Sequence, residues 1–157
     1  MTPVSVARIV SGGQTGADRA GLDAAIEAGW EYAGWCPAGG WAEDFLEPPG
    51  LLVPYPGLRE APSADPAVRT RLNVRDSHAT LVIRATQLVS PGTDLTVQVA
   101  RRLDRPCLVT EGSADEVRRW LAGLGHELTL NVAGPRESEQ PGVYSVVRAL
   151  LADLGKT

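Results

Sequence analysis

The chain has 157 residues, 43% of them hydrophobic and 22% charged, which suits one domain with one sizeable core. A formal net charge of −4 argues against a broad nucleic-acid-binding face, and no run approaches the roughly 18 apolar residues of a membrane span. The opening MTPVSVARIV is too short and too poor in basic residues for a signal peptide, so a cytoplasmic location is expected.

The first predicted element is a buried strand over VARIV, residues 6–10. A helix follows over residues 15–28. Leu22 and Ile26 lie one turn apart, several alanines keep its faces small, and Gly29 supplies a stop. Residues 30–35 form a short strand candidate. Residues 37–62 are rich in Gly and Pro without a clear period, a long irregular loop of the kind that is usually functional. A helix is predicted over residues 65–76 with Pro66 at its start. ATLVI, residues 79–83, is apolar throughout and reads as a central parallel strand covered on both faces. Leu95, Val99 and Leu103 mark a helix over residues 93–103, and residues 106–110 a further buried strand. Ser113 and Glu116 form a capping box that opens a helix with Val117, Trp120, Leu121 and Leu124 on one face, ended by Gly125. Residues 127–133 make the last strand, and Val143, Val147, Leu150, Leu151 and Leu154 the last amphipathic helix, closed by Gly155. This alternation predicts a single α/β domain over residues 1–157, Rossmann-like, with a mostly parallel sheet and helices on both faces. Cys36 and Cys107, far apart and without CxxC spacing, read as packed thiols, and no metal site is evident.

Ligands of open α/β sheets bind beyond the carboxyl ends of the strands. Three loops are expected there: SGGQTGAD after the first strand, RATQLVSPGTDLT after ATLVI, and GPRESE after the last strand. In the first, Gly12, Gly13 and Gly16 allow close backbone approach to a phosphate, and the helix that begins near Thr15 offers N–H groups and a positive dipole end. The same glycines would serve a plain strand-to-helix turn. The loop is neither a G-x-G-x-x-G fingerprint nor a Walker motif. In the second, Gly92 and Thr93 repeat the pattern, with Thr93 either capping the helix or binding phosphate, although Asp94 in the first turn would repel an anion. In the third, Arg136 suits a phosphate or carboxylate, or else pairs with Glu137 or Glu139. Asn73, Arg75, Asp76 and Ser77 fall at the amino end of the central strand, away from the expected ligand edge. Trp35 and Trp41 could stack on a heterocycle or seal the loop, and Glu43 and Asp44 should point apart. No nucleophile pairs with a histidine; His78 and His126 read as packed or surface residues.

The segments SGGQTGADRAGLDAA, GWCPAGGWAED, RTRLNVRDSHATLVI, GTDLTVQVARRLDRPCLV and LNVAGPRESEQPGVY come in this order over nearly the whole chain. Together they resemble the molybdenum carrier family, molybdenum cofactor carrier protein-like chains of a circularly permuted branch of the SLOG, or lysine-decarboxylase-like, Rossmann superfamily. That superfamily also holds the cytokinin-activating phosphoribohydrolases. The resemblance implies a homodimer or homotetramer and a pocket for a phosphorylated small molecule. It points to molybdenum cofactor as bound ligand, with no cofactor required for folding and no nucleic-acid or membrane partner. Carried over by residue, the pocket would use Ser11, Gly12, Gly13, Gln14, Thr15 and Gly16, with Gly92, Thr93, Asn131, Gly134, Arg136 and Ser138. Two positions depart from the family pattern. CPAGGWAED lacks the basic residues that relatives often carry, and Pro91 has no N–H where relatives tend to have a glycine. Thr96 stands where the phosphoribohydrolases have their catalytic glutamate. The expected function is therefore a non-catalytic carrier of molybdenum cofactor or a similar phosphate-bearing heterocycle. The alternatives are a nucleotide-derivative hydrolase with Asp18, Glu43, Asp44 or Glu137 as its acids, and a nucleotide-ligand sensor.

Overall fold

In chain order the elements are β1 (Val6–Val10), α1 (Ala17–Ala28), β2 (Glu31–Ala33), β3 (Trp35–Cys36), β4 (Arg59–Glu60), α2 (Pro66–Arg75), β5 (Ala79–Ile83), α3 (Pro91–Arg102), β6 (Cys107–Thr110), α4 (Ala114–Ala122), β7 (Leu128–Ala133) and α5 (Val143–Leu154). They come from a computed structural model that describes residues 6–156. Residues 1–5, on which the signal-peptide reading partly rests, and residue 157 lie outside the described residues. Five strands form one sheet in the order β2-β1-β7-β5-β6, with every neighbouring pair parallel. The architecture is the expected single Rossmann-like α/β domain.

Continuous apolar runs become the inner strands because helices cover both faces. All five residues of β5 are buried. Ile9, Leu81, Ile83, Leu130 and Val132 meet α1, α4 and α5 in one core, while Val74 of α2 packs with Val99 and Ala100 of α3 in another. Each fully buried Leu or Ile side chain contributes about 1.5–3 kcal/mol relative to exposure. Helix α1 thus follows β1 onto one face and α3 follows β5 onto the other, with β7 between them. That reversal opens a crevice at the carboxyl end of β7.

Several expected boundaries move. The predicted strand over residues 30–35 breaks at Gly34, so β2 joins the main sheet and β3 pairs with β4 in a small second sheet. β6 is an edge strand rather than a buried one: among its residues only Thr110 is buried. Helix α3 starts at Pro91, two residues early, because Ser90 takes the N-cap position and proline suits the first turn. Helix α4 ends at Ala122, capped by Gly123 rather than Gly125, with Ser113 accepting from the Glu116 N–H as expected. The loop over residues 37–62 has a small core of its own, in which Cys36, Ala42, Leu51, Tyr55 and Leu58 pack on Leu22 of α1. Cys36 and Cys107 are free thiols.

Candidate functional site

The crevice at the end of β7 holds a cavity of about 90 Å³. Its floor is Asn131–Gly134, and its walls are the starts of α2 (Pro66, Ala67, Arg69, Thr70) and α3 (Gly92, Thr93, Thr96). Gly12, Gln14 and Asp18 close it on the side of β1, and Arg136 and Glu139 on the side of the β7–α5 loop. Two helix N-termini therefore border one small space: that of α2 is capped by the Asp65 carboxylate, which accepts from the Ala67 N–H at 3.0 Å, while that of α3 has no side-chain cap and carries partial positive charge.

The first loop spends several of its N–H groups on the protein itself. The Gly13 N–H donates to Ser11 Oγ at 3.3 Å and the Thr15 N–H to Gln14 Oε1 at 3.0 Å. The Ala17 and Arg19 N–H groups donate to the Pro135 and Gln14 carbonyls at 3.2 and 2.9 Å. The glycines serve the protein's own close packing. A Cβ on Gly13 would lie 2.9 Å from Leu51, and one on Gly16 would lie 2.4 Å from the Pro135 carbonyl oxygen, both at positive φ. A Cβ on Gly12 would meet the Arg69 guanidinium at 2.3 Å. The start of α3 is the opposite case. A Cβ on Gly92 would meet nothing within 4 Å. Among the described residues, the Gly92 and Thr93 N–H groups make no hydrogen bond within the protein. Asp94 does not block this helix end, because Arg84 Nη1 draws its carboxylate away at 2.6 Å. The Thr93 hydroxyl faces Ser90 Oγ at 2.7 Å, and the Ser90 hydroxyl donates to Glu139 Oε1 at 3.1 Å.

Of the two arginines that line the cavity, Arg69 is the more buried. Its side chain is 11% exposed, and Nη1 donates to the Gly12 carbonyl at 2.8 Å and lies 3.8 Å from Asp18 Oδ2. Its remaining N–H donors have no protein partner among the described residues, and the residue lines the cavity. Burial pulls its pKa down and Asp18 works the other way; a guanidinium keeps its charge regardless. Burial pushes the Asp18 carboxyl up to about 6, against the opposing pull of Arg69, the Gln14 N–H, Arg19 and the Gly134 N–H.

A model of the circularly permutated YpsA SLOG family matches residues 9–154. The chain belongs to that family. It is also similar, at 34% identity and with a TM-score of 0.86, to the crystal structure of a "Putative molybdenum carrier protein" from Syntrophus aciditrophicus SB. That likeness covers 99% of this chain and 98% of the other. No curated protein matches.

Of the residues singled out in the sequence of this SLOG-family chain, Gly12, Gln14, Gly92, Thr93, Asn131, Gly134 and Arg136 line the cavity, with Asp18. The others lie elsewhere. Ser11 is buried, donating to the Asp18 carbonyl at 2.7 Å. Thr15 donates to Glu43 Oε1 at 2.5 Å and accepts from the Glu137 N–H at 3.2 Å. Ser138 donates to Glu43 Oε2 at 2.7 Å. Glu43 thus fastens the 37–62 loop to both glycine-containing turns. Burial raises its pKa, but the hydrogen bonds from Thr15 and Ser138 outweigh this and hold the carboxyl below its ordinary value. The Arg136 guanidinium lies 3.9 Å from Glu43, while its backbone N–H donates to Glu139 Oε1 at 3.0 Å. Asp44 forms a two-pronged pair with Arg19 at 2.8 Å, so the two acids do point apart. Glu137 accepts from the Gly142 and Tyr144 N–H groups at 2.7 and 3.0 Å at the start of α5.

Trp35 lies in a different groove, with its indole N–H on Asp76 at 2.9 Å and the Arg59 guanidinium over its ring. Trp41 lines an apolar cleft of about 360 Å³ with Leu46, Pro48, Ala64 and Pro66. Pro66 also lines the cavity at the end of β7, so the two spaces share that residue. His78 accepts through Nδ1 from the Thr129 N–H at 2.9 Å. Among the described residues no group of three or more His, Cys, Asp or Glu could hold a metal ion, and no helix is long and apolar enough to cross a membrane.

Sequence reasoning missed Arg69, Thr70, Ser90 and Glu139, and it set Asn73 away from the ligand edge. The signal was present in PAVRTRLNVR. Arg69 and Asn73 are four apart and share one helix face. A ten-residue helix ending at the amino end of β5 must begin about 15 Å back, at the carboxyl edge.

Proposed function

We propose that this protein is a non-catalytic carrier that binds a phosphate-bearing heterocycle, with molybdenum cofactor as the leading candidate. The observation that carries this reading is the largely buried Arg69 side chain, which lines a cavity bordered by the starts of α2 and α3. The guanidinium and the uncapped N-terminus of α3 both favour phosphate. A space of about 90 Å³ suits one anionic group rather than a whole tricyclic ligand. The ring system would lie outside it, across Pro66 and against Trp41 in the apolar cleft. Membership of the family and the likeness to the Syntrophus protein support a carrier role. A cytoplasmic location and a homodimer or homotetramer belong to the same reading, the latter measurable by light scattering.

The test is mass spectrometry of the small molecules released when the purified protein is denatured, followed by anaerobic titration of emptied protein with molybdopterin. The reading expects a phosphorylated heterocycle, saturable binding, and a loss of at least about tenfold in affinity for Arg69→Met. Failure of the wild-type protein to bind molybdopterin or any nucleoside monophosphate would sink it.

A second reading, hydrolysis of a nucleotide-like bond, rests on Asp18 alone. Of the four candidate acids only Asp18 lines the cavity, and its carboxyl at about 6 lies in the range of a general acid. Release of a free base or phosphate from a nucleotide panel, abolished in Asp18→Asn, would favour it.

A further inference from the structure

The polar cavity already contains an anion of the protein's own. Asp18 lines it, with its carboxylate 3.8 Å from Arg69 Nη1 and faced by the Gln14 and Gly134 N–H groups. These are donors of the kind that a phosphate would use. We propose that Asp18 acts as a proton-dependent guard of this site: ionised, it holds the cavity's positive groups for itself, and an anionic ligand is admitted together with a proton on Asp18. This rests on the reading of the cavity as an anion site.

The charges around Asp18 set the balance. Arg69 approaches from α2. Arg19, one residue on in α1, is turned toward Asp44. The β7–α5 loop contributes Arg136 and Glu139 to the same cavity, and Glu43 of the 37–62 loop lies 3.9 Å from Arg136. From α3 come no charged side chains, only the hydroxyls of Thr93 and Thr96 and the N–H groups of its first turn, since Asp94 is held by Arg84. Glu139 is occupied at the rim, where one oxygen accepts from both the Ser90 hydroxyl and the Arg136 N–H. Asp18 lies deeper, 8% exposed. Two negative groups in a space of about 90 Å³ repel strongly because water screens them poorly there. Protonation of Asp18 removes that repulsion and leaves the charge of Arg69 to the ligand. Its raised pKa, about 6, makes the proton available near neutrality.

Binding and proton uptake are then linked, and each strengthens the other. Sulfate is the probe, because it keeps its double charge across the range and adds no titration of its own. For the wild-type protein, the sulfate dissociation constant should rise about tenfold per pH unit above pH ~7. Calorimetry in two buffers of different ionisation enthalpy should show uptake of about one proton per sulfate at pH ~7.5. Asp18→Asn, which matches the shape without the charge, should bind sulfate with a flat pH profile and no uptake. Sulfate binding without proton uptake by the wild-type protein overturns the proposal, and this measurement does not depend on the variant folding. A slope retained in a folded Asp18→Asn protein also overturns it, because the proton then goes elsewhere. Absence of sulfate binding by the wild-type protein at pH ~5.5, where Asp18 is largely neutral, instead overturns the anion-site reading beneath it.

Discussion

The β1–α1 turn and the start of α3 look alike in sequence, each a glycine and a threonine at the head of a helix. In the structure they differ in what fills the space above the glycine. At Gly13 and Gly16 it is protein: Leu51 and the Pro135 carbonyl. At Gly92 it is open. A glycine-rich turn thus marks a close approach without saying whether the approaching group is a ligand or the chain itself.

Substitutions can break that comparison. Gly16→Ala combines a positive φ with a Cβ 2.4 Å from a backbone oxygen, and it should cost about 4 kcal/mol or prevent folding. Gly92→Ala should stay within about 0.5 kcal/mol by urea denaturation, while weakening anion binding by crowding the open N–H groups. Equal destabilisation at both positions would erase the distinction. Next in size, Arg69→Met leaves Asp18 buried without its cation and should cost about 3 kcal/mol at pH 7. Adding Asp18→Asn should recover most of that loss. Asp18 itself carries a definite sign. Its folded pKa lies above the ordinary 3.8, so the native state binds the extra proton, and the stability it confers is full below pH ~4 and falls as pH rises through about 6. The stability of the wild-type protein relative to Asp18→Asn should therefore drop by about 2.5 kcal/mol from pH 4 to 7.

Smaller effects sharpen the picture at the loop. Glu43→Gln removes charge from two hydrogen bonds and should cost about 1.5 kcal/mol at pH 7. With its folded pKa depressed, Glu43 confers stability above its ordinary value of 4.5 that is lost as pH falls through the folded value. The difference from the Gln variant should shrink in acid. Trp41→Ala should change stability by less than about 1 kcal/mol and leave sulfate affinity intact. It should weaken only ligands that carry a ring, and loss of sulfate binding would contradict the two-part site.

The layering of the fold was legible because its signals are local. ATLVI is apolar on both sides of the pleat, and Ser113 with Glu116 announces a helix start. β6 misled because PCLVT is apolar, yet only one neighbouring strand, β5, pairs with it. The site was legible at the level of loops, since all three meet at one sheet edge. It was not legible at the level of atoms. Asp94 looked like a carboxylate guarding a helix end, and only the fold brings Arg84 to it. In sequence Arg69 is one of three arginines in PAVRTRLNVR, with Arg71 and Arg75. What distinguishes it is Gly12, 57 residues away, whose missing side chain leaves room for the guanidinium.

Asn73 shows how far the cavity is tied to the rest of the molecule. Its amide accepts from the Trp35 N–H at 2.8 Å and donates to the Trp35 carbonyl at 3.0 Å, as a neighbouring strand would. Helix α2 is thereby stitched into the small sheet as if it were a third strand. Arg69 is one helical turn away on the same rod, so the more buried cation of the cavity and the indole of the opposite groove share a single mount. Asn73→Ala would cut that stitch and leave the height of Arg69 above the cavity floor to packing alone.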